Sequence, residues 1–136
     1  MTVPTSEKQI VKIAMAFGST AGSEQVALNF SEDSTSYTGN RIVRRSYEIP
    51  VSTTDASIDL STLVDTATWI AVVDKSGQAI SYALSSGVAL GSRHQVAASG
   101  VSVWKNANAT PPTLYLSNAD ASNKAFGEII ILGASA

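Results

Sequence analysis

The chain reads as an all-β protein, an antiparallel β-sandwich of jelly-roll-like type. Apolar residues recur at every second position, turn residues separate the segments at short and even spacing, and helical periodicity is almost absent. Of 136 residues, 44% are hydrophobic and 15% charged, the balance of a chain that builds one core. The expected organisation is one domain over 1–136, with 1–8 as an extended N-terminal arm.

In "QIVKIAMAF", Val11, Ile13, Met15 and Phe17 share one face, and in "EQVALNF", Val26, Leu28 and Phe30 do the same. Both segments have the alternation of half-buried strands. Gly18, Gly22 and the run "SEDSTSYTGN" supply turn chemistry between and after them. "RIVRRSYEIP" is a strand ended by Pro50, "ASIDL" a short one, and "STLVDTA" has room for a single helical turn. "WIAVVDKSGQAISYAL" carries the strongest hairpin signal, two apolar runs around Asp74, Lys75, Ser76 and Gly77. Within it, Trp69 beside Ile70 and Val72 is expected in the core. "GVALGSRHQVAASGVSVW", "TLYLSN" and "FGEIIILG" bring the expectation to eight to ten strands.

Composition also bounds function. A net charge of -2 and a pI near 5.2 give no electrostatic attraction to nucleic acid or to an anionic membrane. The N-terminal stretch lacks the apolar core of a secretory signal and no apolar run reaches membrane-spanning length, so a chain used without membrane insertion is expected. With no cysteine there can be no thiolate zinc site, iron–sulfur cluster or thiol nucleophile. The single histidine, His94, cannot build a multi-histidine metal centre within one chain, and no Gly-x-Ser-x-Gly turn presents a serine. The acidic residues sit beside turns, as Asp33, Asp55, Asp65, Asp74 and Asp120 illustrate. No catalytic residue, metal ligand or cofactor is expected, and the chain reads as a protein that is not an enzyme.

Three features point instead to contact surfaces. Alternation sends Val101 and Val103 to the core and Trp104 outward; likewise it sends Leu114 and Leu116 inward and Tyr115 outward. If "KNANATPP" joins neighbouring antiparallel strands, the two aromatics lie within cross-strand reach on an outer face, as interface anchors or as platforms for a sugar ring. In "EIIILG", Ile129 and Ile131 point one way and Ile130 and Leu132 the other, so both faces of that strand need cover. Arg45 falls in series with Val43, Tyr47 and Ile49. A β-bulge, a charge guarding an edge strand, or a salt bridge between subunits would each account for it.

"WIAVVDKSGQAISYAL" and "YLSNADASNKAFGEIIILGASA", in an alanine-, serine- and threonine-rich chain, resemble the small accessory virion proteins of tailed bacteriophages. These are head decoration (cement) proteins and related tail-associated β-sandwiches. The resemblance implies a non-enzymatic homo-oligomer, often a trimer, made in the host cytoplasm. In the virion it would sit on major capsid or other virion proteins and reinforce their contacts. The alternative is a carbohydrate-binding or host-adhesion module. On the first reading Trp104, Tyr115, Ile130, Leu132 and Arg45 are the expected interface residues.

Overall fold

A computed structural model describes the backbone of residues 9–18, 25–34 and 40–135, and the side chains of 42–134. The expected arm over 1–8 lies outside the described residues. The chain divides into two compact units, Met1–Asn40 and Arg41–Ala136.

In the first unit, β1 (Gln9–Gly18) and β2 (Gln25–Ser34) pair antiparallel over ten residues each. The register sets Ile13 opposite Phe30, Met15 opposite Leu28 and Phe17 opposite Val26. These six therefore share a face, as the alternation of both segments predicts.

The second unit holds β3 (Asn40–Ile49), β4 (Thr53–Asp59), β5 (Val64–Asp74), β6 (Ile80–Ala83), β7 (His94–Val96), β8 (Val101–Lys105), β9 (Thr113–Asn118) and β10 (Ala125–Ser135). One four-stranded sheet has the order β3-β10-β5-β8 and the other β4-β9-β6-β7. The pairing is nested, β3 with β10, β4 with β9, β5 with β8 and β6 with β7. Among the described residues helix is confined to two short turns, Leu60–Thr62 and Leu90–Ser92. The first of these is the single turn expected in "STLVDTA", started by Asp59, whose carboxylate accepts from the Ser61 N–H.

Residues from both sheets make one buried cluster. Tyr47 and Ile49 of β3, Ile70 and Val72 of β5 and Ile129 and Ile131 of β10 meet Ile80 and Tyr82 of β6 and Leu114 and Leu116 of β9. Alternation thus placed β3 and β9 with the correct face inward, while for β10 it left open which row is inner; the inner row is Ile129 and Ile131.

The hairpin expected at "DKSG" does not form. The turn is present and tightly made: the Asp74 carboxylate accepts from the Ser76 N–H and hydroxyl, the Gly77 N–H and, across the unit, the Ser99 N–H. Gly77 takes φ +77°, which suits a residue without a Cβ. But β5 pairs with β10 and β8 while β6 pairs with β9 and β7, so this turn carries the chain from one sheet to the other. Turn chemistry is local, whereas the choice of strand partner is decided by burial across the whole unit.

β10 lies between β3 and β5. Ile130 stands opposite Ala71, and Leu132 opposite Trp69. Leu132 is 7% exposed and Ile130 is partly buried. A bulge between Leu132 and Gly133 leaves Thr68 without a direct partner, because Gly133 pairs with Ala67. The Ala67 and Thr68 carbonyls accept from the Asn106 side chain and backbone N–H respectively. Trp69 is buried as expected, though on the face opposite Ile70 and Val72.

Candidate functional site

The register of the first sheet defines the rows of its outer face. Val103 stands beside Ala71 and Ala71 beside Ile130; Val101 stands beside Val73 and Val73 beside Glu128; Lys105 stands beside Trp69 and Trp69 beside Leu132. Cross-strand neighbours share a face, so one side of the sheet carries a largely aliphatic surface from β8 to β10. It is open at the β8 end, where Val101 is 59% and Val103 42% exposed.

This overturns the inward assignment of the β8 valines. Ser102 and Trp104 take the inner side: Trp104 stands opposite Ile70, packs against the core, and stacks on Tyr82 with ring centroids 5.2 Å apart and planes 18° apart. The Tyr82 and Ser102 hydroxyls share a hydrogen bond of 2.7 Å. The cause is size. An indole reaching from the edge of one sheet to Tyr82 in the other buries far more surface than two valines could from the same strand.

Tyr115 also has different company from that expected. β8 and β9 belong to different sheets, so "KNANATPP" is a crossover and Trp104 and Tyr115 are not strand neighbours. Tyr115 stands between Ser57 and Ala83 on the outer side of the second sheet, partly exposed. Its carbonyl accepts from Arg93, whose guanidinium also donates to Val88 and pairs with Asp55. The Arg93 side chain is fully buried. Asp55, held at φ +61°, keeps its carboxyl below the usual carboxylate range mainly through the bond from Arg93, helped by the Gly87 N–H. Sequence reading missed this ion pair because its members lie 38 residues apart with no motif joining them.

Arg45 is exposed on β3, an edge strand, while Val43, Tyr47 and Ile49 of the same alternation pack into or against the core. Of the three accounts of it, the charge that guards an edge matches this position. Its neighbour Arg44 pairs with Glu128 at 2.6 Å, and Lys75 reaches the same oxygen at 2.9 Å. The two cations hold the Glu128 carboxyl below its ordinary value, Arg44 first and then Lys75. Beside them is an open depression of about 530 Å³, lined among others by Tyr47, Glu48, Lys75, Phe126 and Glu128. The Tyr47 hydroxyl donates to the Val73 carbonyl at 2.8 Å, and burial followed by the Asp74 carboxylate pushes it above its ordinary range.

His94 is exposed and also stacks on Tyr82, centroids 5.0 Å apart. Among the described residues no three histidine, cysteine, aspartate or glutamate side chains come together in a metal-binding group. No helix in the described residues is long and apolar enough to cross a membrane. Comparisons with protein-family models, curated proteins and solved structures find no match. Geometry alone therefore supports a functional reading. The surface it offers for binding is the aliphatic outer face of the first sheet, flanked by the Arg44–Glu128–Lys75 cluster.

Proposed function

We propose that the chain is a non-enzymatic structural virion protein of the capsid-decoration (cement) kind, a jelly-roll-like sandwich that binds larger virion proteins through the outer face of its first sheet. The observation that carries this reading is that face: an aliphatic surface continuing from the half-covered Ile130 across Ala71 and Val73 to the exposed Val101 and Val103. Exposed contiguous apolar surface on a soluble β-protein marks a place where something else binds. The nested strand order supports the architecture, since pairing β3 with β10, β4 with β9, β5 with β8 and β6 with β7 in two four-stranded sheets is the arrangement of a long hairpin rolled up. That architecture recurs in viral capsid domains. Ile130 and Leu132 lie on the proposed contact face, whereas Arg45 stands in the inward series of Tyr47 and Ile49 on the other side of the sheet. Trp104 leaves the contact face, and with Trp104 goes the outward aromatic pair on which a glycan-binding reading rested.

The test is occupancy on particles. The wild-type chain is expected to co-sediment with the virions whose genome encodes it. Ile130→Asp, which sets a carboxylate into the middle of the apolar face, should lower bound copies by about tenfold, the equivalent of about 1.4 kcal/mol. Wild-type occupancy by a folded Ile130→Asp protein, or particles that never bind the wild-type chain, would refute the proposal.

A further inference from the structure

The backbone groups of β8 have a direction fixed by two hydrogen bonds at its ends. The Asp74 N–H donates to the Gly100 carbonyl at 2.9 Å, and the Asn106 N–H donates to the Thr68 carbonyl at 2.7 Å. Between them the register runs without a break from Val73 opposite Val101 to Trp69 opposite Lys105. In an antiparallel ladder hydrogen-bonded pairs alternate with pairs that are not. Ser102 and Trp104, in step with Gly100 and Asn106, therefore direct their N–H and C=O groups toward β5. Val101, Val103 and Lys105 direct theirs off the edge of the sheet.

The other three edges of the two four-stranded sheets are guarded against strand addition. β3 carries Arg44 and Arg45 in mid-strand, both exposed; β4 is broken by a register shift between Thr53 and Ala56 with Asp55 at positive φ; β7 has only three residues. Charge, a bulge and shortness are the ordinary devices that blunt an edge. β8 has none of them from Val101 to Trp104, and its outward side chains there are valines.

We infer that β8 is a self-association edge, pairing antiparallel with β8 of a second copy about a two-fold axis at Val103. The match is self-complementary. Val103 exchanges both backbone hydrogen bonds with its counterpart, and Val101 of each copy stands opposite Lys105 of the other. The two lysines then lie about 14 Å apart, four residues along the strand, beyond the screening length of about 8 Å at physiological salt. On the outer side the aliphatic row Ile130, Ala71, Val103 runs on into Val103, Ala71 and Ile130 of the second copy, doubling the apolar face. An isologous pair of this kind departs from the trimer that the sequence resemblance implies, and it does not depend on where the protein resides.

Native mass and sedimentation of the purified chain over a series of concentrations test this. The wild-type mass should double as concentration rises. Val103→Pro removes an outward N–H that β5 does not use, at an edge position where proline is tolerated, and should give a folded monomer at every concentration. Val103→Lys sets two ammonium groups directly opposite each other and should weaken the pair by about tenfold or more, with partial recovery in high salt. If the proline variant fails to fold, the lysine variant decides. A wild-type chain that stays monomeric throughout, or a folded Val103→Pro or Val103→Lys chain that associates as the wild type does, overturns the inference.

Discussion

Trp104→Ala separates the structure from the simple alternation rule, because the two predict opposite outcomes. If the valines of β8 faced the core, Val103→Ala would be the costly change and Trp104→Ala the mild one. The structure reverses this. Trp104 is about half-buried, stacked on Tyr82 and set opposite Ile70. Full truncation of a core aromatic costs about 3–5 kcal/mol, and an aromatic pair contributes about 0.5–1.5 kcal/mol beyond its area. Half burial with the stack lost gives about 2–3 kcal/mol. In urea, with a slope of about 1–3 kcal/mol/M, the midpoint should fall by about 1–3 M. Trp104→Phe, which keeps a ring over Tyr82, should recover more than half of the loss. Val103→Ala, on an exposed edge position, should stay within about 0.5 kcal/mol of wild type. Unfolding followed by circular dichroism checks all three. A midpoint for Trp104→Ala within about 0.2 M of wild type, or Val103→Ala costing more than Trp104→Ala, would refute the inward placement of the indole.

Asp74→Asn should destabilise the fold by about 1–3 kcal/mol, because an amide has one acceptor oxygen for the N–H groups of Ser76, Gly77 and Ser99 and turns its own donors toward the rest; urea unfolding measures it. Acid should weaken the fold through several carboxylates at once. Burial raises the Asp74 carboxyl, but the bonds from the Ser76 hydroxyl and the Ser99, Ser76 and Gly77 N–H groups together outweigh it and hold the group below its ordinary 3.8. Asp55, Asp59, Asp120 and Glu128 are lowered as well. A carboxylate lowered on folding contributes stability at pH above its unfolded value and loses it as pH falls through the folded one. The melting temperature should therefore hold from neutral pH to about 5 and fall steeply below about 4. A melting temperature that stays level down to pH 3, or rises, would contradict these assignments.

What was legible in the sequence follows from which forces are local. β9 carries its burial pattern in its own letters: Leu114 and Leu116 face the core as alternation requires. The Asp74 turn was legible too, since its hydrogen bonds come from residues two and three positions on. Which strand lies beside which was not. β3 beside β10 and β4 beside β9 are pairings across most of the unit, and no nearby residue encodes them. β8 was ambiguous for a different reason. Either face of "VSVW" offers apolar residues, and the choice falls to Tyr82, which stands in another sheet and receives the indole and the Ser102 hydroxyl. For the candidate surface, the sequence pointed to Ile130 and Leu132 but missed Val101 and Val103, which it had assigned to the interior.

The two glycines that bracket the aliphatic run of β10 have a consequence for how that strand finds its place. Four successive apolar residues carry little information about which of them belongs inside, so a slip of one residue would exchange Ile129 and Ile131 for Ile130 and Leu132 at small hydrophobic cost. A Cβ at Gly127 would overlap the Val73 carbonyl oxygen, and one at Gly133 would overlap that of Thr66. A slip of one residue in either direction brings a side chain to both of those spots, Phe126 or Glu128 to the first and Leu132 or Ala134 to the second. The glycines thus act as a pair of index marks at the two ends of the run. Chain alignment is decided by where atoms are missing, in a segment whose side chains could not decide it themselves.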